Sequence, residues 1–253
     1  MSLFEAEGVT KRFGGLTAVS AVDFRVEAGE IVGLIGPNGA GKTTFFNVIS
    51  GFLKPDEGDV RFEGASILGH KPSDICKRGM TRTFQIVKPF AEMTVTDNVL
   101  VGAFNHRRDA GRAREKAREV LALVGLEPQA DKLGSELTVG GRKRVELAKA
   151  LATEPKLMLL DEVMAGLTPS EVAGMIEVLG RVRDAGVTMV IVEHVMQVIM
   201  NLSDRIYVLH HGVAISEGTP EQIIADPEVT KAYLGDSFLA EPGTAPSGEA
   251  PRP

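Results

Sequence analysis

A glycine-rich loop near the amino terminus constrains the fold of this chain more than any other feature. Residues 35–47 are IGPNGAGKTTFFN, in which Gly36, Gly41, Lys42 and Thr43 satisfy the pattern G-x-x-x-x-G-K-[ST]. The apolar run GEIVGLIG before the loop is typical of a strand buried on both faces, and a helix is predicted to start near Lys42. The loop therefore joins a buried strand to a helix, which is the context that this motif requires.

The residue types of the loop predict a bound nucleoside triphosphate with magnesium. Glycines let the backbone N–H groups turn inward as an anion-binding nest, and the new helix adds its positive end. Lys42 is expected to reach the β- and γ-phosphates, and the Thr43 hydroxyl to bind Mg²⁺. The alternative is a glycine-rich turn with an accidental Lys-Thr pair. The residues predicted to hold the phosphates are Gly36, Pro37, Asn38, Gly39, Ala40, Gly41, Lys42, Thr43 and Thr44.

Two further buried strands end in polar residues that suit phosphate chemistry. The segment LMLLDE ends with Asp161, predicted to hold Mg²⁺ through water, and Glu162, predicted to orient or deprotonate the attacking water. The segment VTMVIVEH ends with His194, which could sense the γ-phosphate. Parallel strands bring such residues to the carboxyl edge of a sheet, where ligands bind. The alternatives are acids that cap a strand end and a histidine that serves as a local hydrogen-bond partner.

Composition bounds the class of protein. The 253 residues carry a net charge of −6, which argues against a nucleic-acid partner. The single cysteine, Cys76, excludes an internal disulfide and fits a reducing compartment. The first residues lack the apolar core of a signal peptide, and no apolar run is long enough to span a bilayer. If the protein works at a membrane, another chain must hold it there.

The order of predicted elements defines the fold class as α/β with a mainly parallel core sheet. An early β-rich part, predicted antiparallel, includes the alternating strand at 21–27. Helical patterns at 109–124 and 142–155 predict a helical subdomain inserted at about 88–152. A helix from Pro169, a hairpin around His211–Gly212 and helical signals at 220–226 and 227–234 follow. We expect one domain over 1–235 and a disordered tail over 236–253, which is rich in Pro, Gly and Ala.

The complete set of motifs resembles the ATP-binding cassette (ABC) family. The segments GPNGAGKTT, TFQ, LTVGGRKR, LMLLDE, AGLTP and VEH occur in that family's order. The resemblance covers residues 1 to about 235 and implies a P-loop NTPase fold with ATP hydrolysis. The signature departs from the family pattern, since Val139 replaces glycine and Gly141 replaces glutamine; Thr168 replaces the usual aspartate of the D-loop.

The resemblance implies roles for further residues. Phe13 matches the aromatic residue that stacks on adenine. Gln85 matches the Q-loop glutamine, which contacts Mg²⁺ and the attacking water and links to the transmembrane partner. Gly166 to Thr168 match the D-loop, and His194 matches the switch histidine. The residues that match the signature loop, which closes over ATP on another subunit, are Leu137, Thr138, Val139, Gly140 and Gly141.

Finer segments such as KRFGGLTAV, EMTVTDNVLVG and KAYLG resemble the ATPase subunits of branched-chain amino acid importers. This resemblance implies a second ATPase subunit, transmembrane permease subunits, a periplasmic or extracellular solute-binding protein, and a cytoplasmic location on the inner face of the membrane. The partner contact is expected near Gln85 to Asn98, where Pro89, Phe90 and Met93 have no obvious need in the core; the alternative is a loop that packs on its own lobe.

Other functions remain open at this point. The finer resemblance extends in part to the ATPase of lipopolysaccharide export. An ABC ATPase without transport, a P-loop kinase or other metabolic NTPase, and a nucleotide-dependent binding module are further alternatives. A single set of motifs and the absence of a sustained heptad pattern argue against the first of these three. The signature loop and Gln85 have no role in the second, and Glu162 argues against the third.

Overall fold

The computed structural model describes residues 2–83, 89–107 and 109–234. Within these ranges the chain forms two β-sheets with helices packed around them. Gln85 and the predicted tail at 236–253 lie outside the described residues. The described part of the chain has the α/β architecture that the sequence predicts, with an antiparallel sheet and a mainly parallel sheet.

The antiparallel sheet comes from the amino-terminal part of the chain and has the strand order β2-β1-β4-β5 among the described residues. Val22, Phe24 and Val26 are buried while Asp23 and Arg25 face solvent, so the predicted half-buried strand is confirmed. The strands of this sheet are β1 (Ser2–Phe13), β2 (Leu16–Glu27), β4 (Glu57–Phe62) and β5 (Ala65–Ser66).

The larger sheet has the order β10-β9-β3-β8-β7-β6 in the described part of the chain. Its strands pair in parallel except β10, which returns antiparallel to β9 and confirms the hairpin predicted around His211–Gly212. The strands of this sheet are β3 (Ile31–Ile35), β6 (Met80–Arg82), β7 (Leu157–Asp161), β8 (Thr188–Val192), β9 (Arg205–His210) and β10 (Val213–Gly218).

The helices follow the predicted pattern, with several added by the structure. The sequence did not predict α2 and α7, which are only six and seven residues long and give no clear periodic signal. The α-helices are α1 (Lys42–Ile49), α2 (Pro72–Lys77), α3 (Val95–Ala103), α4 (Ala110–Val124), α5 (Val139–Leu151), α6 (Pro169–Asp184), α7 (Met196–Leu202), α8 (Pro220–Ala225) and α9 (Pro227–Leu234). Short 3₁₀ turns lie at Glu127–Gln129 and Gly134–Glu136.

Three helices, α3, α4 and α5, follow β6 and precede β7 in the sequence, and they pack against one another. The helix predicted over 142–155 begins instead at Val139, because the Thr138 side chain caps it by accepting from the Gly141 N–H at 3.1 Å. It ends at Leu151, before the backbone turns through Glu154, whose φ is 55°. The subdomain limits at about 88–152 and the domain limits at 1–235 stay predictions.

The parallel sheet is buried on both faces, as its apolar strands predict. On β3, Ile31 and Ile35 belong to a core shared with the helices, whereas Val32 and Leu34 belong to a second core shared with the antiparallel sheet and α1. The same alternation continues along β7 and β8. Two hydrophobic layers therefore hold the sheet, and the carboxyl ends of its strands emerge at one edge.

In the described part of the chain, no helix combines the length and the apolar character needed to cross a bilayer.

Phe24 joins the two sheets and the helix after the phosphate loop. Its ring lies 4.4 Å from Tyr207 on β9, 5.5 Å from Phe45 on α1 and 6.4 Å from Phe4 on β1. We expect Phe24→Ala to lower the free energy of unfolding by about 3–5 kcal/mol, because it leaves a cavity among these rings. Chemical denaturation measures the change, and Ile224→Ala, at a side chain 66% exposed, is the matched control. A loss as small as that of the control contradicts this role for Phe24.

Candidate nucleotide site

The phosphate loop is held in a tight turn between β3 and α1. A Cβ added at Gly36 would lie 2.1 Å from the Leu209 carbonyl oxygen, and one at Gly41 would lie 2.4 Å from the Ala18 carbonyl oxygen. Gly41 also has a φ of 98°, a backbone conformation that glycine adopts without strain. Neighbouring strands therefore press closely on the loop, which explains why glycine stands at both positions.

Lys42 begins α1 and turns back over the loop. Its ammonium donates to the carbonyl oxygens of Gly36 at 2.6 Å and Pro37 at 3.0 Å. Burial lowers the pKa of the Lys42 ammonium, and the negative charge of Glu162 acts in the opposite direction. The ammonium is thus held against the phosphate loop by two of the loop's own carbonyl oxygens.

A cavity of about 590 Å³ lies in front of the loop. It brings together residues from the amino-terminal hairpin, the phosphate loop and the ends of β7 and β8, so most of the predicted site residues share one space. The lining residues are Phe13, Leu16, Thr17, Ala18, Asn38, Gly39, Ala40, Gly41, Lys42, Thr43, Thr44, Glu162, Val192, His194, His211 and Gly212.

Glu162 and His194 form a pair at the edge of this cavity. Glu162 Oε1 lies 2.9 Å from His194 Nε2, and the two side chains are 20% and 49% exposed. Glu162 adopts a left-handed backbone conformation with a φ of 48°, which is uncommon for a residue with a side chain. The turn points the carboxylate out of the sheet and toward the space above the phosphate loop. This arrangement can orient a water molecule and accept its proton.

Asp161 has a different environment from its neighbour. Its Oδ2 accepts from the Arg82 guanidinium at 2.7 Å, and both side chains are nearly buried, at 12% and 10% exposure. Arg82 also donates to Asn47 Oδ1 at 2.6 Å on α1 and to Ser50 Oγ at 2.9 Å directly after that helix. Asp161 is thereby tied to the helix that follows the phosphate loop. The sequence analysis missed Arg82, which lies on the three-residue strand β6 and has no local signal of its own.

The oxygen donors at this edge fit a magnesium ion. Mg²⁺ takes hard oxygen ligands, and in nucleotide sites it uses few protein groups and keeps waters and phosphate oxygens. Thr43 and Glu162 line the cavity, and Asp161 precedes Glu162 directly. Among the described residues no group of three or more His, Cys, Asp or Glu side chains is suited to hold a metal by itself. The donor set therefore suits an ion that arrives with phosphate.

The end of the cavity formed by the two hairpins contains residues that the sequence analysis did not assign to the site, among them Leu16 and His211. Phe13 lies at the end of β1, is 46% exposed and lines the cavity with Leu16. His211, at the tip of the β9–β10 hairpin, lines it as well. The hairpin itself was predictable, but its packing against the phosphate loop, seen in the 3.0 Å bond from the Gly212 N–H to the Ala40 carbonyl, joins distant parts of the chain.

The residues that match the signature loop lie elsewhere. Leu137 is buried, Thr138 caps α5, and Val139 is 45% exposed at the start of that helix. The Gly140 N–H hydrogen-bonds to the Glu171 carboxylate on α6. Within the described part of the chain, the cavity lining includes none of the positions 137–141. One copy of the chain therefore does not bring these residues to its own phosphate loop.

The fold and the cavity together define a P-loop nucleoside triphosphatase. A family model described as ABC transporter matches residues 19–165, and one described as branched-chain amino acid ATP-binding cassette transporter matches residues 215–238. The high-affinity branched-chain amino acid transport ATP-binding protein BraF of Pseudomonas aeruginosa is 39% identical, over 93% of this chain and 98% of that protein. The chain belongs to the ABC transporter family, as an ATP-hydrolysing cassette.

Solved structures agree with this assignment. The crystal structure of the ADP conformation of an ATP-binding cassette of an ABC transporter matches with a TM-score of 0.84 and 34% identity, over 93% of this chain and 100% of that chain. A dimeric post-hydrolysis structure of an ATP-binding cassette bound to ADP and Pi matches with a TM-score of 0.75 and 26% identity, over 86% of this chain and 98% of that chain. Membership of the family sets the kinase and other metabolic NTPases aside.

Gly41→Ala tests the close packing of the phosphate loop. The new Cβ meets the Ala18 carbonyl, so the loop must shift, and we expect a fluorescent ATP analogue to bind about tenfold more weakly or worse. Gly39→Ala is the matched control, because Gly39 also has a positive φ but a Cβ there has no atom within 4 Å. Equal losses in the two variants show that backbone strain alone, rather than contact with Ala18, governs binding.

Proposed function

We propose that this chain is the ATP-binding and ATP-hydrolysing subunit of a transporter that imports branched-chain amino acids. One observation carries the hydrolytic part: the Glu162–His194 pair, with its 2.9 Å contact, shares a cavity with Lys42 and Thr43 of the phosphate loop. The identity to BraF and the family match at 215–238 support the solute assignment over lipopolysaccharide export.

The residues of the cavity have distinct roles in this proposal. Phe13 stacks on adenine, the loop from Gly36 to Thr44 wraps the phosphates, and Lys42 exchanges its two carbonyl partners for phosphate oxygens. Glu162 takes the proton of the attacking water, and His194 holds the carboxylate and contacts the γ-phosphate.

Three residues have metal-side roles in the proposal. Thr43 would supply a hydroxyl to Mg²⁺, Asp161 would hold the ion through water, and Gln85 would contact the ion and the attacking water. Bound Mg²⁺ offsets the negative charge of the phosphates.

Two copies, or a copy and a sibling subunit, are proposed to enclose two ATP molecules. The positions 137–141 lie away from the chain's own cavity, and the matched dimeric cassette bound to ADP and Pi supports an arrangement in which they face the partner's nucleotide. The Thr138 hydroxyl then donates a hydrogen bond to the γ-phosphate while its oxygen continues to accept from the Gly141 N–H and cap α5. Such a shared site binds ATP more tightly in the closed state than in the open state, which is what drives a conformational change.

A groove on another face suits the membrane partner. It has a volume of about 810 Å³ and lies between the end of β6 and helices α3 and α5. Val101 and Phe104 line it and are 46% and 49% exposed, and the Phe90 ring lies 4.8 Å from the Lys149 ammonium at its wall. We propose that a permease subunit docks here and holds the chain at the inner face of the membrane. A periplasmic or extracellular solute-binding protein completes the assembly, and no nucleic acid takes part.

Glu162→Gln tests the hydrolytic role. The amide keeps the shape of the side chain but accepts a proton poorly, so we expect turnover to fall by about 10²-fold or more while ATP binding persists. ATP-dependent dimers should then accumulate, as measured by size-exclusion chromatography with light scattering. Glu177→Gln, on the exposed face of α6, is the control. Turnover near the wild-type rate shows that Glu162 is not the catalytic carboxylate.

Phe90→Asp tests docking in the groove. The substitution replaces this exposed apolar ring with a carboxylate. We expect it to abolish amino acid uptake in the assembled transporter while the ATPase activity of the isolated subunit persists. Ile224→Asp, at an exposed site on α8, is the control and should leave both activities intact. Unchanged uptake contradicts docking at Phe90.

Purification of the chain from membranes and identification of the co-purified permease test the transporter assignment itself.

A further inference from the structure

A buried carboxylate next to His194 remains without a role in the function described above. Glu193 is 3% exposed and directly follows β8. Its Oε1 accepts from the Met164 N–H at 2.8 Å, and the His194 N–H also hydrogen-bonds to the carboxylate. Burial raises the pKa of the Glu193 carboxyl, and these hydrogen bonds act in the opposite direction. One side chain thus contacts both segments that carry the Glu162–His194 pair.

A buried lysine bonds to the same turn. Lys143 on α5 is 8% exposed, and its ammonium donates to the Glu162 carbonyl oxygen at 2.9 Å. Burial lowers the pKa of Lys143, whereas the charges of Glu193 and Glu162 act in the opposite direction. Lys143 and Glu193 are therefore two buried ionisable groups, one basic and one acidic, that each bond to the backbone of the turn at 162–164.

These contacts explain how Glu162 keeps an unfavourable backbone conformation. A left-handed residue with a side chain persists only where its surroundings hold it. The Glu162 N–H bonds to the Val192 carbonyl at 2.9 Å, its carbonyl accepts from Lys143, and the Met164 N–H two residues later bonds to Glu193. The turn is fixed at three successive points, and the result is the 2.9 Å contact between Glu162 and His194.

We propose that Glu193 is a positioning residue for ATP hydrolysis, and that with Lys143 it holds Glu162 and His194 in the geometry that activates water. Glu193 does not line the cavity in the described part of the chain, so it acts through the pair and not on the nucleotide. The proposal rests on the catalytic role proposed for Glu162. Because Lys143 belongs to the helix that Thr138 caps, the same contact joins the signature loop to the catalytic turn of its own chain.

The test compares Glu193→Ala and Glu193→Gln in the full chain. We expect the alanine variant to lower kcat about 10–100-fold and to change KM for ATP by less than about threefold, because displacement of the pair affects the chemical step. Glutamine keeps an acceptor oxygen for Met164, so Glu193→Gln should recover at least about tenfold of the lost rate. Lys143→Met should reproduce the alanine result. A fall in kcat that glutamine does not recover, or a change confined to KM, overturns the proposal.

A double variant separates positioning from general damage to the fold. In single-turnover assays, adding Glu193→Ala to Glu162→Gln should change the residual rate less than about twofold, since residues that act as a unit are not additive. Asp204→Asn is the control, because Asp204 accepts from the Ile31 N–H at 2.8 Å at the opposite edge of the sheet. It should lower the thermal midpoint without lowering kcat. An equal loss from Glu193→Ala in both backgrounds overturns the proposal alone, whereas an active Glu162→Gln enzyme overturns the proposed catalytic role on which it rests.

Discussion

Parallel pairing of β3, β8 and β7 is the constraint on which the rest of the structure depends. Leu34 on β3 pairs with Val192 on β8, and Val192 pairs with Asp161 on β7. The three strands therefore end at nearly the same level, and the residues that follow them emerge together at one edge. Burial of the sheet on both faces fixes this register, since a slip by one residue exchanges the two apolar layers. The phosphate loop and the Glu162–His194 pair meet because of this pairing.

The sequence predicts those parts of the site that lie at the ends of apolar strands. Lys42, Thr43, Glu162 and His194 each follow a run that is recognisably buried, so their meeting at one sheet edge follows from the fold class alone. The hairpin at His211–Gly212 and the helix from Pro169 could also be predicted from the sequence, because turn and cap residues mark them.

The residues that sequence reasoning missed depend on contacts between distant segments. Arg82 reaches Asp161 and Asn47 from a strand too short to show periodicity. Glu193 lies within an apolar segment, where nothing local shows that Met164 approaches it. Lys143 belongs to a basic stretch typical of an exposed helix, yet it is buried against Glu162. Only the packing of α5 and β8 against the turn at 162–164 determines these partners.

The contacts of Asp161 fix the carboxylate that the proposed function assigns to the magnesium side of the site. Arg82 joins Asp161 to Asn47, which lies in the helix that begins with Lys42 and Thr43, and to Ser50, which directly follows that helix. The position of the Asp161 carboxylate is thus set relative to the Thr43 hydroxyl by contacts within the chain. Because the Arg82–Asp161 pair is nearly buried, loss of either partner leaves an uncompensated charge, so the pair holds its geometry firmly. Oxygen donors held in this way need little rearrangement when a phosphate with its counter-ion binds. In the proposed function, more of the binding free energy then remains for closing two subunits around ATP.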